Sequence, residues 1–226
     1  MPTPTKDSLM NENDTPERYA PLVDALVARG WYQWPRALST SLCQALLAEA
    51  EQHEADGHLE PAGVGRGVIH QVNATIRRDE IKWFDGRTAA QKAYLDQMAE
   101  LQTYLNRSLF LGLFEYECHF ARYQPGGFYK KHLDSFRGRA SRMVSVVCYL
   151  NPEWQADWGG ELVIYGENAE DSGDIRAVIT PEMGKLVVFM SESMPHEVLP
   201  TQHPRTSIAG WFRCNTSVTG KIDPPK

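Results

Sequence analysis

The sequence predicts an α+β domain in which N-terminal helices brace one sheet of a β-sandwich or barrel, and three observations carry that expectation. Apolar residues recur at helical spacing in three segments that all precede residue 113. From there onward the chain breaks into short β-rich runs separated by Gly, Pro and Asn clusters. Its 226 residues, 42% of them hydrophobic, suffice for a full core and fall where one domain is expected before two. The expected organisation is a polar tail over 1–14, a single domain over 15–214 (helical support 15–112, β core 113–214) and a flexible tail over 215–226.

Each element has a local cause. Asp14 or Thr15 is placed to cap a first helix, with Pro16 near its first turn, an apolar stripe of Leu22, Val23, Leu26 and Val27, and Gly30 to end it. A short strand follows over 30–35. Ser39 or Thr40 opens a second helix running to about Ala55, with Leu42, Leu46 and Leu47 on one side. A third, over 88–107, buries Tyr94, Leu95, Met98, Leu101, Tyr104 and Leu105. Strands are expected over 116–123, 143–150, 161–165, 186–190, 197–199 and 206–213.

Composition narrows the function. A net charge of −6 offers no basic stripe for phosphates, which argues against a nucleic-acid partner. Cys43, Cys118, Cys148 and Cys214 are widely spaced and make no Cys-x-x-Cys pair, as expected of reduced thiols in the cytoplasm. The N-terminus lacks a basic region followed by an apolar run, and no stretch of 18 apolar residues occurs, so neither export nor a membrane span is expected.

The chemistry is concentrated in His132-x-Asp134 with a distant lone His196 and, shortly after it, Arg205. Two imidazoles and one carboxylate on three corners of an iron leave three positions for a bidentate co-substrate and oxygen, a pattern that points to oxidation. Residues two apart on a strand share a face, so His132 and Asp134 can reach one metal from a strand end. If 201–204 form a hairpin turn, Pro200 opposes Arg205 and His196 opposes Ala209, and parity puts His196, Arg205, Ser207 and Trp211 on one face. Arg205 then lies about 13 Å along the hairpin from His196 at roughly 3.3 Å per residue. A five-carbon keto-dicarboxylate held by a guanidinium fork fits that gap, with Ser207, Tyr123 and Tyr149 available as further donors. His53, His58, His70 and His203 read as solvated, and His119 is the one substitute ligand. Gly63, Gly65 and Gly67 lack the strand and helix of a phosphate loop and read as a mobile loop. Trp154, Trp158 and Trp211 read as packing residues, Trp211 also keeping the site dry.

The stretches HFARYQPGGFYKKHLD, RMVSVVCYLN, WGGELVIYG and PHEVLPTQHPRTSIAGWF resemble the catalytic core of the iron(II)- and 2-oxoglutarate-dependent oxygenases. With the upstream IRRDEIKWFDG they more narrowly resemble the prolyl hydroxylase domain group that includes the animal oxygen-sensing enzymes. The resemblance implies a double-stranded β-helix (jelly-roll, cupin-like) behind supporting helices. It implies His132, Asp134 and His196 as iron ligands, Arg205 with Tyr123 and Tyr149 at 2-oxoglutarate, and Trp211 beside it. Arg142 is implied at the substrate rim, and Arg77 and Asp79 in a loop closing over the peptide. Tyr129 follows a loop over 125–128, in an interval one residue shorter than in the animal enzymes. Also implied are oxygen as co-substrate and, as target, a proline in a loop of a protein, elongation factor Tu being the candidate; separately, ascorbate is expected as a supporting reductant and the chain as a monomer. The other readings are an oxygenase acting on a free amino acid, another small molecule or an alkylated base, and a non-catalytic β-barrel binding module.

Overall fold

The computed structural model of the protein describes residues 17–63, 72–135, 141–166 and 174–214. The expected Asp14 or Thr15 cap, Pro16, both tails, Gly65, Gly67 and His70 lie outside them. Helix α1 (Ala20–Arg29) follows a 3-10 turn and has Tyr19 at its N-cap with no side-chain cap bond. Pro21 sits in its first turn instead, where an N–H has no helical partner to lose. In α2 (Thr40–Ala55) Ser39 Oγ accepts from Leu42 N at 3.3 Å, and in α3 (Ala89–Leu109) Thr88 accepts from Gln91 N at 3.1 Å. The buried stripe of α3 is Tyr94, Met98, Leu101 and Leu105. Each such side chain contributes about 1.5–3 kcal/mol by leaving water.

The strands are β1 (Trp31–Trp34), β2 (Glu60–Pro61), β3 (Glu80–Trp83), β4 (Leu113–Tyr123), β5 (Tyr129–His132), β6 (Arg142–Tyr149), β7 (Leu162–Tyr165), β8 (Ile175–Ile179), β9 (Leu186–Met190), β10 (His196–Val198) and β11 (Arg205–Cys214). They form a larger sheet in the order β1-β9-β6-β11-β4-β3-β2 and a smaller one in the order β5-β10-β7-β8. From β4 onward the chain passes repeatedly from one sheet to the other. The result is a double-stranded β-helix with helices packed on its larger sheet.

Period-2 alternation sorts the side chains of the larger sheet. Val144, Val146 and Cys148 of β6, Ile208 and Phe212 of β11 and Phe120 of β4 meet the helices in one core cluster. The intervening positions, among them Ala121, Tyr123, Tyr149, Val187 and Phe189, face the smaller sheet and pack with Leu162, Ile164 and Val198. The central strands are therefore buried on both faces, and any polar residue in the second phase points into the space between the sheets.

Two expectations are corrected. The segment after His196 does not fold back as a hairpin: β10 pairs with β5 and β7, whereas β11 pairs with β4 and β6. Arg205 thus opposes Tyr123, and Ala209 opposes His119 and Val147. Bonds to other loops hold the crossing, Gly160 N to Pro200 O, Thr201 N to Gly127 O and Gln202 N to Trp158 O. Pro200 has no N–H with which to join a ladder of its own. The second correction is β8, whose largely exposed IRAVI forms an edge strand where none was expected.

Gly210, between Ile208 and Phe212, is required by close approach. A Cβ there would overlap the hydroxyl of Tyr116, which hydrogen-bonds Tyr94 at 2.8 Å, and would lie 2.8 Å from Cys118 Cβ. Gly210→Ala is expected to lower stability by about 1–3 kcal/mol in urea unfolding. An unchanged midpoint would mean that the wall between β11 and β4 yields without cost.

Candidate metal centre and co-substrate pocket

His132 ends β5, His196 begins β10, and the two are register partners. Asp134 follows His132 by two residues, and one donor atom from each of the three lies within 4.8 Å of the others. Both His132 Nε2 to Asp134 Oδ1 and His196 Nε2 to Asp134 Oδ2 measure 3.6 Å, too long for good hydrogen bonds and suited to donors that converge on one ion. His132 Nδ1 lies 2.8 Å from Lys130 O, and His196 Nδ1 lies 3.0 Å from Met194 O. A carbonyl only accepts, so each Nδ1 carries the proton and each Nε2 lone pair is left for a metal.

Burial, with the His132 imidazole nearby, lowers the His196 pKa to about 4, so its ring is neutral near pH 7. Burial acts to raise Asp134, but His196, His132 and Ser145 together outweigh it and hold the carboxylate well below its usual range. Ser145 Oγ donates to Asp134 Oδ2 at 2.6 Å and lies 2.8 Å from Ser191 Oγ. Tyr129 stacks on His132 at 3.6 Å and Phe189 meets His196 edge-on at 4.6 Å, fixing both imidazole planes.

Deeper in, Arg205 is 1% exposed, and no carboxylate pairs with it among the described residues. Its Nε donates to Gly160 O at 2.8 Å and its Nη1 to Ser207 Oγ at 3.2 Å. The guanidinium lies 4.9 Å from the Tyr123 ring and 5.1 Å from that of Tyr149. Among the described residues the Tyr149 hydroxyl is buried with no partner at good hydrogen-bond geometry, the Arg205 guanidinium lying beside it. Burial pushes its pKa up to about 12 against the pull of Arg205, so it keeps its proton and can donate. A buried cation beside an unmatched O–H is costly on its own, and an incoming carboxylate would satisfy both. The donor set therefore fits an iron(II) ion and the distal carboxylate of 2-oxoglutarate.

At the mouth, Arg77 and Asp79 form a two-bonded ion pair at 2.7 and 2.5 Å, with the guanidinium 4.3 Å from the Tyr129 ring. The two sit where the chain enters β3, at the foot of the segment expected to close over a peptide. Arg142 donates to Glu117 Oε1 at 2.9 and 2.7 Å and lies over Trp211 at 3.5 Å. Among the described residues the buried Trp211 indole N–H has no hydrogen-bond partner.

The structure brings His132, Asp134 and His196 together, and gathers Arg205, Tyr123, Tyr129, Ser207, Trp211, Arg142 and Arg77 around one pocket. Asp79 reaches it through Arg77, and Tyr149 through Arg205. Arg205, Ser207 and Trp211 share a face of β11, while His196 meets the same cavity from the opposite sheet. His119 is outside the metal cluster but lines the pocket. Of the histidines read as solvated, His58 and His203 are exposed, His203 stacking on Trp158, while His53 is half-buried beside Glu49. Ser145 and the Gly160 carbonyl were missed. Ser145 is detectable in principle, as a polar residue in the inward phase of an apolar strand, whereas the carbonyl carries no side-chain signal.

Comparison with known proteins gives concordant results. The family profile described as the 2OG-Fe(II) oxygenase superfamily matches residues 118–213. A solved prolyl-4-hydroxylase of Pseudomonas putida is 44% identical, with coverage of 86% of this chain and 98% of that one and a TM-score of 0.77. A Trichoplax adhaerens prolyl hydroxylase, solved with a peptide fragment of the hypoxia inducible factor oxygen degradation domain, shares the fold at 24% identity and TM-score 0.77, covering 92% and 94%. The curated mouse prolyl 3-hydroxylase OGFOD1 is 34% identical over 87 residues, 36% of this chain and 15% of that protein's length.

Two measurements check this geometry. Ser145→Ala is expected to weaken iron(II) binding about 10–100-fold in anaerobic titration, by loss of the hydrogen bond that orients Asp134. Unchanged affinity would remove that role. Burial, with Arg77 nearby, lowers the His119 pKa to about 4 from 6.5. The unfolded chain then takes up a proton below pH 6.5 that the folded protein refuses until about pH 4, so stability falls as pH drops through that window. Urea unfolding of His119→Phe should show a shallower loss between pH 7 and 5 than the wild type.

Proposed function

This chain belongs to the 2OG-Fe(II) oxygenase superfamily, and from that premise we propose that it hydroxylates a prolyl residue of a protein substrate. The single observation that carries this reading is the 44% identity, over nearly the whole of both chains, to a prolyl-4-hydroxylase. That relative covers 86% of this chain against 36% for the prolyl 3-hydroxylase, which favours ring carbon 4 as the position attacked.

Iron(II) with 2-oxoglutarate and oxygen supplies, when bound, an oxidant able to replace a C–H hydrogen with hydroxyl, releasing succinate and carbon dioxide. In this reading His132, Asp134 and His196 would hold the metal, the three being the donor cluster found among the described residues. Ser145 and the Lys130 and Met194 carbonyls keep the three ligands oriented. Arg205, Ser207, Tyr123 and Tyr149 would receive the distal carboxylate, whereas Trp211, under Arg142 and beside His119, lines the other end of the pocket. Arg142 and Tyr129 face the substrate, with Arg77 held against Tyr129 by Asp79. Ascorbate would be the supporting reductant.

Elongation factor Tu is the candidate substrate and the cytoplasm the proposed compartment. Among the described residues no helix is long and apolar enough to cross a membrane. Purified protein with iron(II), 2-oxoglutarate and ascorbate is expected to add one oxygen atom to a single proline of elongation factor Tu. Peptide mass spectrometry would locate it, succinate should form in equal amount, and His196→Ala should form none. Oxidation of free proline with no oxygen gained by any protein would replace this reading with the small-molecule one.

A further inference from the structure

His119 is a buried imidazole that neither the metal cluster nor the Arg205 end of the pocket uses. It lies on β4, 2% exposed, edge-on to Trp83 at 4.9 Å and 5.5 Å from the Trp211 ring, and it lines the same cavity as the iron ligands. Its Nδ1 is 3.0 Å from the Phe120 carbonyl oxygen. Because that oxygen can only accept, the proton of the neutral ring resides on Nδ1 and Nε2 presents a lone pair. Phe120 O is the one hydrogen-bond partner of this ring among the described residues, so the Nε2 acceptor is unmatched.

Water can satisfy that lone pair while the cavity is open. A substrate that fills the cavity displaces the water, and the stranded acceptor then weakens binding on the order of tenfold unless the substrate brings a donor. The target residue cannot do so, since a peptidyl proline has no N–H. The nearest backbone donor is the amide of the residue that follows it. The geometry points to His119 as a specificity-determining residue that accepts the N–H of the residue after the target proline. This inference rests on the prolyl reading above and makes the pocket select an internal peptidyl proline over one that ends a chain.

The test uses two synthetic peptides spanning the proline located by mass spectrometry, identical except that the amide after the proline is an ester in one. With wild-type protein the ester should lower kcat/KM on the order of tenfold, the cost of one lost hydrogen bond to a buried partner. His119→Leu should turn over both peptides at about the rate of wild type on the ester, so that the amide advantage disappears. His119→Gln, which retains an acceptor, should recover part of it. His119→Phe keeps the ring between Trp83 and Trp211 and gives the same reading if the leucine variant is unstable, with iron(II) binding as the check on folding. An amide-to-ester ratio equal in wild type and in the apolar variants would overturn the role of His119 while leaving the prolyl reading intact. Failure of the wild type to hydroxylate the amide peptide or any protein would overturn both.

Discussion

The site depends on the register that sets His196 against His132 across β10 and β5. Those two strands belong to the smaller sheet, whose inward residues face a larger sheet already backed by three helices. A slip of one residue in either strand would turn its imidazole out of the cavity and a charged neighbour, Lys131 or Glu197, in, so core packing and site geometry enforce the same pairing. Asp134 lies just beyond the end of β5, where the chain is free to turn its carboxylate inward without giving up a ladder bond. Ser145, on a strand buried on both faces, then fixes one carboxylate oxygen.

A second constraint is the Arg205 charge. An arginine at 1% exposure without an acidic partner among the described residues is a local cost that folding alone does not repay. The protein limits that cost with the Gly160 carbonyl, the Ser207 hydroxyl and two aromatic faces, all of which attenuate the positive potential without cancelling it. A Cβ on Gly160 would lie 3.1 Å from Arg205 Cδ, which explains a glycine with φ of +70° there. Stability is given up locally so that an anion finds a desolvated cation and a free tyrosine O–H already in place.

Much of this was legible in the sequence. The helices were, because Ser39 and Thr88 cap them and their apolar stripes keep a 3.6-residue period. His132, Asp134 and His196 were, because together with Arg205 they fit one chemistry, whereas a His-x-Asp pair alone does not single out a metal site. The connection between β10 and β11 was not: local pattern and turn chemistry favour a hairpin, and the bonds that prevent it come from Gly127, Trp158 and Gly160, distant in sequence. Edge strand β8 was obscured because its exposed residues carry no alternating burial signal. The part played by His119 was not legible, since composition cannot reveal that Phe120's carbonyl occupies one of its nitrogens or that the residue lines the cavity.

In the proposed function one pocket binds iron(II) through His132, Asp134 and His196 and a dicarboxylate through Arg205. The most direct test is an anaerobic titration of the purified protein with iron(II) and 2-oxoglutarate, following the visible metal-to-ligand charge-transfer band in wild type and in Arg205→Ala. A band in the wild type that requires far more 2-oxoglutarate in the variant is the predicted result. A folded, iron-loaded protein with no band, or a variant that saturates at the wild-type concentration, would contradict it.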